Sequence, residues 1–511
     1  MNIVRANGRR SFVLAAIIAA LTLPSCNGGK HMDADKIERT AVTEMQRLMA
    51  EKAVKLPAEN NPVVAHKYGA DPALLVYGDT VYLYTTNDMQ QFEFTQGKAD
   101  NGYDKITTLN VFSSKDLVNW TDCGEISVAG KNGGDGAAKW ASNSWAPAVA
   151  WKRIGGTDKF FIYFADSGNG IGVLEGDSPT GPFIDPLGAP LVSRAVPGCQ
   201  KINWLFDPAV IVDEDGSGYL YFGGGHDPDT YEHPMNARAV ALSDDMVHLA
   251  GEPVVIDAPF LFEDSGINKI GSTWYYTYCT NWQDRKDSKD PDRMPIAVIG
   301  YMSSQNPLGP FEYKGYTLEN PGTAFGTWGN NHHWIFSFKG KWYIAYHTQT
   351  MEKTVGHEKG GYRNVFIDTF AVNADGSLPV QKSTKQGVAQ VCPFALGGEV
   401  PAATFASARN AAVTGRQTVA AVKDGAYLCI KGADLSAGAS EFGVKCVPAK
   451  DAAIALRIDG MGGKGTEIAR LKLGGATACS TKLSLPPDAQ GIHDLYIVLP
   501  EGCELISWII K

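Results

Sequence analysis

Phe206-Asp207-Pro208-Ala209-Val210-Ile211-Val212, a turn over Asp213 to Ser217, then Tyr219-Leu220-Tyr221-Phe222: the reading of this stretch decides the fold. A polar residue opens a short apolar run, a turn follows, and an aromatic-rich strand answers it. The pattern recurs at Ala70-Asp71-Pro72-Ala73-Leu74 with Val81-Tyr82-Leu83-Tyr84, and at Trp145-Ala146-Pro147-Ala148-Val149 with Phe160-Phe161-Ile162-Tyr163-Phe164. It recurs again at Phe262-Glu263-Asp264-Ser265-Gly266 with Trp274-Tyr275-Tyr276, and at His332-His333-Trp334-Ile335-Phe336 with Trp342-Tyr343-Ile344. The aromatic strands begin at 81, 160, 219, 274 and 342, a spacing of 55 to 79 residues. Long-period repeats of short strands read as propeller blades. Five copies predict an all-β, five-bladed β-propeller whose innermost strands line a central channel. Asp71, Asp207 and Glu263 are read at one common place in the repeat. Three acids carried to one axis point to acid–base chemistry, against the plainer reading of Asp before Pro as a turn residue.

The 511-residue chain is long for one domain, and its net charge of −9 argues against a nucleic-acid partner. Arg5, Arg9 and Arg10 precede the apolar run Phe12 to Leu23, which is too short to span a bilayer as a helix. Leu23-Pro24-Ser25-Cys26 resembles a bacterial lipobox, so residues 1–26 are expected to be a lipoprotein signal with Cys26 acylated. Arg9-Arg10-Ser11-Phe12 also resembles a twin-arginine signal. The expected product is exported and held at a cell envelope by its lipid. Residues 27–60 read as a tether, with Ile37, Ala41, Met45, Leu48, Met49 and Ala53 at helical spacing. The propeller is expected over 61–392. From about 395, alternating runs such as Ala453-Ile454-Ala455-Leu456-Arg457-Ile458 predict a β-sandwich of jelly-roll type over 395–511. Nine cysteines show no metal spacing; apart from Cys26 they read as free thiols.

The blade openings resemble glycoside hydrolase family 43. The carrying motifs are Ala70-Asp71-Pro72-Ala73, Ser144-Trp145-Ala146-Pro147, Phe206-Asp207-Pro208-Ala209, Phe262-Glu263 followed by Asn268-Lys269, and Asn330-Asn331-His332-His333. The resemblance implies a five-bladed propeller that hydrolyses arabinofuranosides or xylosides with inversion. It implies Asp71 as general base, Glu263 as general acid, and Asp207 as the acid that tunes Glu263. Inversion needs two carboxyls roughly 6.5–9.5 Å apart, with room for water between them. The resemblance also gives Trp145, Arg363 and His333 as substrate-binding residues. It places His332 or His333 toward a central ion, often Ca2+, with strand alternation turning only one of them inward. No cofactor is implied for the chemistry itself; the expected partner is a plant cell-wall polysaccharide or oligosaccharide.

The C-terminal segments Leu456-Arg457-Ile458-Asp459-Gly460, Ile468-Ala469-Arg470-Leu471 and Gly491-Ile492-His493-Asp494-Leu495-Tyr496 resemble a family 6 carbohydrate-binding module. Two departures stand out. The first strand, around Pro401-Ala402-Ala403-Thr404-Phe405, lacks the glutamates that usually bind a structural calcium in such modules, and Ala476-Thr477-Ala478-Cys479 occupies the place of a sugar-stacking Trp. The module is therefore expected to be mainly structural. The leading functional expectation is an exo-acting α-L-arabinofuranosidase on arabinoxylan or arabinan, with a β-xylosidase or a non-catalytic glycan-binding propeller as alternatives. A retaining fructosidase-type propeller would need an Asn-Asp-Pro-Asn-like opening, which Gly69-Ala70-Asp71-Pro72-Ala73 lacks.

Overall fold

The computed structural model describes residues 40–285, 294–356, 360–415, 417–449, 452–486 and 489–511. The signal segment and Cys26 lie outside the described residues.

Five antiparallel sheets follow one another along the chain. The first stacks Ala70–Tyr77, Thr80–Thr86, Thr108–Ser114 and Trp120–Ser127. The second stacks Trp145–Ile154, Thr157–Ala165, Ile171–Gly176 and Phe183–Ile184. Ala209–Val212, Gly218–Phe222, Ala237–Leu242 and Val254–Ile256 make the third. Leu261–Ile270, Thr273–Thr280, Ile299–Ser304 and Glu312–Leu318 make the fourth. The fifth has three strands, His333–Phe338, Lys341–Thr348 and Asn364–Thr369.

The aromatic strands explain why the blades form a ring. Each lies second in its sheet and is covered on both faces, so its run is apolar throughout instead of alternating. Tyr276 packs into the core between blades three and four, and its neighbour Tyr275 into the core between four and five. Phe160 and Ile162 face blade one, while Phe161 and Tyr163 face blade three. The ring closes through a core shared by Leu74 and Leu83 of blade one with Phe336 and Tyr343 of blade five. The segment entering blade one runs beside the last strand: Val63 N–H donates to the Val365 carbonyl at 2.9 Å, and Gly69 N–H to the Arg363 carbonyl at 2.8 Å. Trp334 packs against three of the interblade cores at once, as only a side chain near the axis can.

The C-terminal region is a two-sheet sandwich. One sheet orders Ala411–Val413, Val419–Ala421, Glu504–Ile510, Glu441–Val447 and Ala478–Lys482, with Val400–Pro401 on its third strand. The other orders Ser407–Arg409, Ala426–Asp434, Ile492–Leu499, Ala453–Ile458 and Thr466–Lys472. Leu428, Phe442, Ile454, Leu456, Ile497, Leu505 and Trp508 fill the space between them.

The sandwich is tied into the propeller. Thr404–Phe405 adds a fifth strand to the edge of blade one, pairing with Thr121 and Trp120. Asn119 and Lys431 exchange reciprocal bonds of 2.9 Å, Nδ2 to main-chain carbonyl and main-chain N–H to Oδ1. The tether supplies helix α1 (Glu44–Lys52), opened by a Thr43/Gln46 capping box. Its Met45 and Met49 pack with Tyr68, Phe92 and Tyr362 of the propeller, while Ala50 meets Ala412 and Val422 of the sandwich. The eight described cysteines are all free thiols, five of them buried.

Candidate active site

Four of the five inner strands open on a residue in the left-handed region: Asp71 (φ 51°), Ala146 (φ 40°), Asp207 (φ 49°) and Asp264 (φ 65°). In blades one, two and four the pairing register slips there, the mark of a β-bulge. Asp tolerates this conformation better than most side chains. The alignment corrects the sequence reading. The residue in phase with Asp71 and Asp207 is Asp264, and Glu263 stands one position earlier, in phase with Ala70, Trp145 and Phe206. A bulge lets two successive side chains serve the channel, so blade four delivers two acids where blades one and three deliver one.

The three expected acids do come together. Asp71, Asp207 and Glu263 are 5%, 5% and 8% exposed. The His332 Nδ1 atom lies 3.6 Å from Asp71 Oδ1 and 3.8 Å from Asp207 Oδ2. Asp207 Oδ2 accepts the Asp264 main-chain N–H at 2.9 Å. The Glu263 Oε1 atom is buried without a hydrogen-bond partner among the described residues.

Asp71 is held on every side. Arg363 Nη1 donates to its Oδ1 at 2.9 Å and Thr86 Oγ1 to its Oδ2 at 2.7 Å. The Thr86 hydroxyl in turn accepts the Ala146 N–H at 2.8 Å, linking the bulges of blades one and two. His347 lies against Asp71 from the second strand of blade five. The Asn330 carbonyl can only accept, so it fixes the His347 proton on Nε2 (2.9 Å). That leaves Nδ1 to accept the Asp71 main-chain N–H at 3.1 Å.

Arg363 spends three of its five N–H groups on carboxylates. Its Nε and Nη2 grip the two oxygens of Asp88 at 2.8 Å each, and Nη1 takes Asp71. Asp88 opens helix α2 (Asp88–Thr95) and is fully buried. The guanidinium lies 4.9 Å from the Tyr103 ring centroid, and the half-buried Trp145 donates its Nε1–H to the Tyr103 carbonyl at 3.0 Å. Trp145, Tyr103, Arg363 and Asp71 therefore form one continuous wall.

Proton affinities diverge across the cluster. Burial, the largest single influence, would raise Asp71, but the Arg363 guanidinium together with His347 and His332 outweighs it and holds the carboxyl far below the usual range. Burial, then the nearby Asp207 and Asp71 charges, push Glu263 well above its ordinary value. Asp207 is pushed up the same way, by burial and then by Asp71. Asp207 and Glu263 thus behave as a pair that retains a proton while Asp71 stays ionised.

The two histidines take different partners. His332 precedes the strand and so escapes its alternation; it faces the acids. His333, expected to bind substrate, is fully buried with both ring nitrogens bonded within the protein, to Asp264 and Thr277. Among the described residues, no group of three or more His, Cys, Asp or Glu side chains could hold a metal ion. Ca2+ takes about six to eight oxygen ligands; the protein residues here do not form such a cage, and no step below runs through a metal.

The sequence reading did not find Thr86, Asp88, Tyr103, His347 or Asp264. A signal existed for two of them. Thr86 and His347 are polar residues that follow the aromatic run of their second strands, Thr80–Thr86 and Lys341–Thr348, toward the end that meets the channel.

The profile of glycosyl hydrolases family 43 matches residues 59–378. The chain belongs to that family. It is 42% identical over 466 residues to an arabinoxylan arabinofuranohydrolase of Paenibacillus polymyxa, covering 87% of this chain and 72% of the relative. A second arabinoxylan arabinofuranohydrolase, from Bacillus subtilis, is 41% identical over 86% of this chain and 89% of its own length. The crystal structure of a family 43 arabinoxylan arabinofuranohydrolase from Bacillus subtilis, solved with cellotetraose, superposes with a TM-score of 0.83 at 38% identity, over 91% of this chain and 99% of that one. As a family 43 member the chain is a glycosidase, and the buried acid cluster lies on the axis of its propeller.

Proposed function

We propose that this family 43 enzyme is an exo-acting, inverting α-L-arabinofuranosidase that removes arabinofuranosyl side units from arabinoxylan or arabinan oligosaccharides. The observation that carries the reading is the opposed proton bias of Asp71 and Glu263 within one buried cluster. An inverting hydrolysis needs one carboxylate without a proton and one carboxyl with it.

In this mechanism Glu263 gives its proton to the glycosidic oxygen as the bond to the anomeric carbon breaks. Water attacks that carbon from the opposite face, and its proton passes to Asp71. The unpartnered Glu263 Oε1 suits a group waiting for the leaving oxygen. Asp207 raises the proton affinity of Glu263 and is not itself consumed. Arg363 keeps Asp71 ionised but also makes it a weak base. Asp71 therefore acts as much by orienting the water as by capturing its proton. The two remaining Arg363 N–H groups, with Trp145, are assigned to the sugar. The arabinofuranosyl preference follows the two relatives of 42% and 41% identity.

The test is hydrolysis of an aryl α-L-arabinofuranoside beside an aryl β-D-xyloside, with the first anomer read by proton NMR. Faster release of arabinose, appearing first as the β-anomer, is expected. An α-anomer first, or faster release of xylose, would replace the reading with a retaining enzyme or a β-xylosidase.

Place follows from the lipobox-like Leu23-Pro24-Ser25-Cys26. Acylation of Cys26 would hold the enzyme at the envelope on the leash that begins at Gly28-Gly29. Cys26→Ser should move it from the membrane to the soluble fraction; identical fractionation of the two forms would remove the anchor. The sandwich is proposed to be a family 6-like module that braces the propeller.

A further inference from the structure

Asp264 is the carboxylate that the blade repeat puts in phase with Asp71 and Asp207, and the mechanism above leaves it unused. It is fully buried. Its Oδ2 accepts the His333 main-chain N–H at 3.1 Å and the His333 Nδ1–H at 2.5 Å. A carboxylate only accepts, so His333 carries its proton on Nδ1 and takes the Thr277 hydroxyl at Nε2, 2.8 Å away. The other oxygen, Oδ1, faces His332 Nε2 at 3.2 Å. The Asp264 main-chain N–H donates to Asp207. One residue thus touches Asp207 and both histidines, and adjoins Glu263 in the chain. The two His333 nitrogens donate to Oδ2, the surrounding of an acceptor, while Oδ1 makes no hydrogen bond among the described residues and meets His332 as a charge contact.

We propose that Asp264 is a positioning residue for the hydrolysis: it fixes Asp207 and His332 relative to Glu263, and so sets how well Glu263 meets the leaving oxygen. The proposal rests on Glu263 being the acid. Asp264→Asn is the incisive change. Asn adopts the same left-handed backbone, keeps the shape, and turns an NH2 toward nitrogens that now face a carboxylate.

The measurement is kcat and KM for a series of aryl α-L-arabinofuranosides of graded leaving-group acidity, with Tm of the same full-length preparations. Asp264→Asn is expected to keep KM within about threefold and to lower kcat by about 10²-fold on the poorest leaving groups, the scale of a misplaced catalytic group. The loss should shrink as the leaving group improves. A kcat loss equal across the series, or none at all, overturns the proposal.

A second pair of variants keeps the test decisive if Asp264→Asn does not fold. His333→Asn retains a donor where Nδ1 stood, whereas His333→Gln retains only the position of Nε2. The Gln form should show a steeper leaving-group dependence than the Asn form; equal losses overturn the proposal. Glu263→Gln run in the same series separates the two readings. If it shows no leaving-group dependence, the acid assignment itself has failed.

Discussion

The propeller channel and the sandwich interior are both walled by β-strands, and they bury opposite things. The channel gathers Asp71, Asp88, Asp207, Glu263, Asp264, Arg363 and three histidines below 9% exposure. The sandwich core is apolar, with Leu428, Ile454, Leu456, Ile497 and Leu505 at 0%. Buried charge costs free energy unless it is paired and hydrogen-bonded, and the propeller meets that cost with left-handed bulges, a bidentate Arg363–Asp88 clamp and fixed histidine tautomers. What it obtains is a set of carboxyls with divergent proton affinities. Among the described residues the sandwich core holds no such cluster, and the sandwich contributes cohesion.

The contrast is broken most severely at Asp71. Asp71→Asn should lower kcat by about 10²–10⁴, the range of general acid–base catalysis, while Tm stays close to wild type. Near-full activity of a correctly folded variant would remove Asp71 from the mechanism. Glu263→Gln should cost a similar factor on oligosaccharides and much less on aryl glycosides with good leaving groups, because those need little protonation.

A pH profile sharpens the same point. The base must be ionised, so rate falls as pH drops toward the Asp71 pKa, which lies below the usual carboxylate range. The acid must be protonated, so rate falls as pH rises through the Glu263 pKa, which lies above it. The active window should therefore extend to both sides of the usual carboxylate range. On good leaving groups Glu263→Gln should lose the alkaline limb and keep the acid one. Persistence of the alkaline limb in that variant would assign it to another group.

On the sandwich side the expected signs reverse. Leu456→Ala, at a fully buried site, should destabilise the fold by about 2–5 kcal/mol and leave kcat per folded molecule unchanged. A rate effect without a Tm effect would make the sandwich part of the catalytic machinery. The smallest expected effect is glycan affinity. The isolated module should bring down little insoluble xylan, since Ala478 and Cys479 offer no aromatic platform. Strong retention by xylan would turn the brace into a binding module.

The sequence carried the five blades legibly, because an aromatic strand buried on both faces leaves no polar alternation to obscure it. It also carried Asp71 and Asp207, because Asp-Pro is a short motif that recurs in phase. It misled at Glu263. Phe262-Glu263-Asp264 contains two acids, and only the φ of 65° at Asp264 shows which of them matches the other openings. Arg363 was legible as a site residue, but not that Asp88, 275 positions away in sequence, would hold it. Thr86 and His347 follow the aromatic runs of strands in blades one and five, which marks each as a channel candidate but does not say that both meet Asp71.

By itself the sequence determined the repeat, the architecture and the chemical types available, since periodicity and local turn chemistry are properties of neighbouring residues. Only the tertiary structure decided which acids hold protons. That depends on burial and on charges contributed by blades one, three, four and five, brought together when the ring closes.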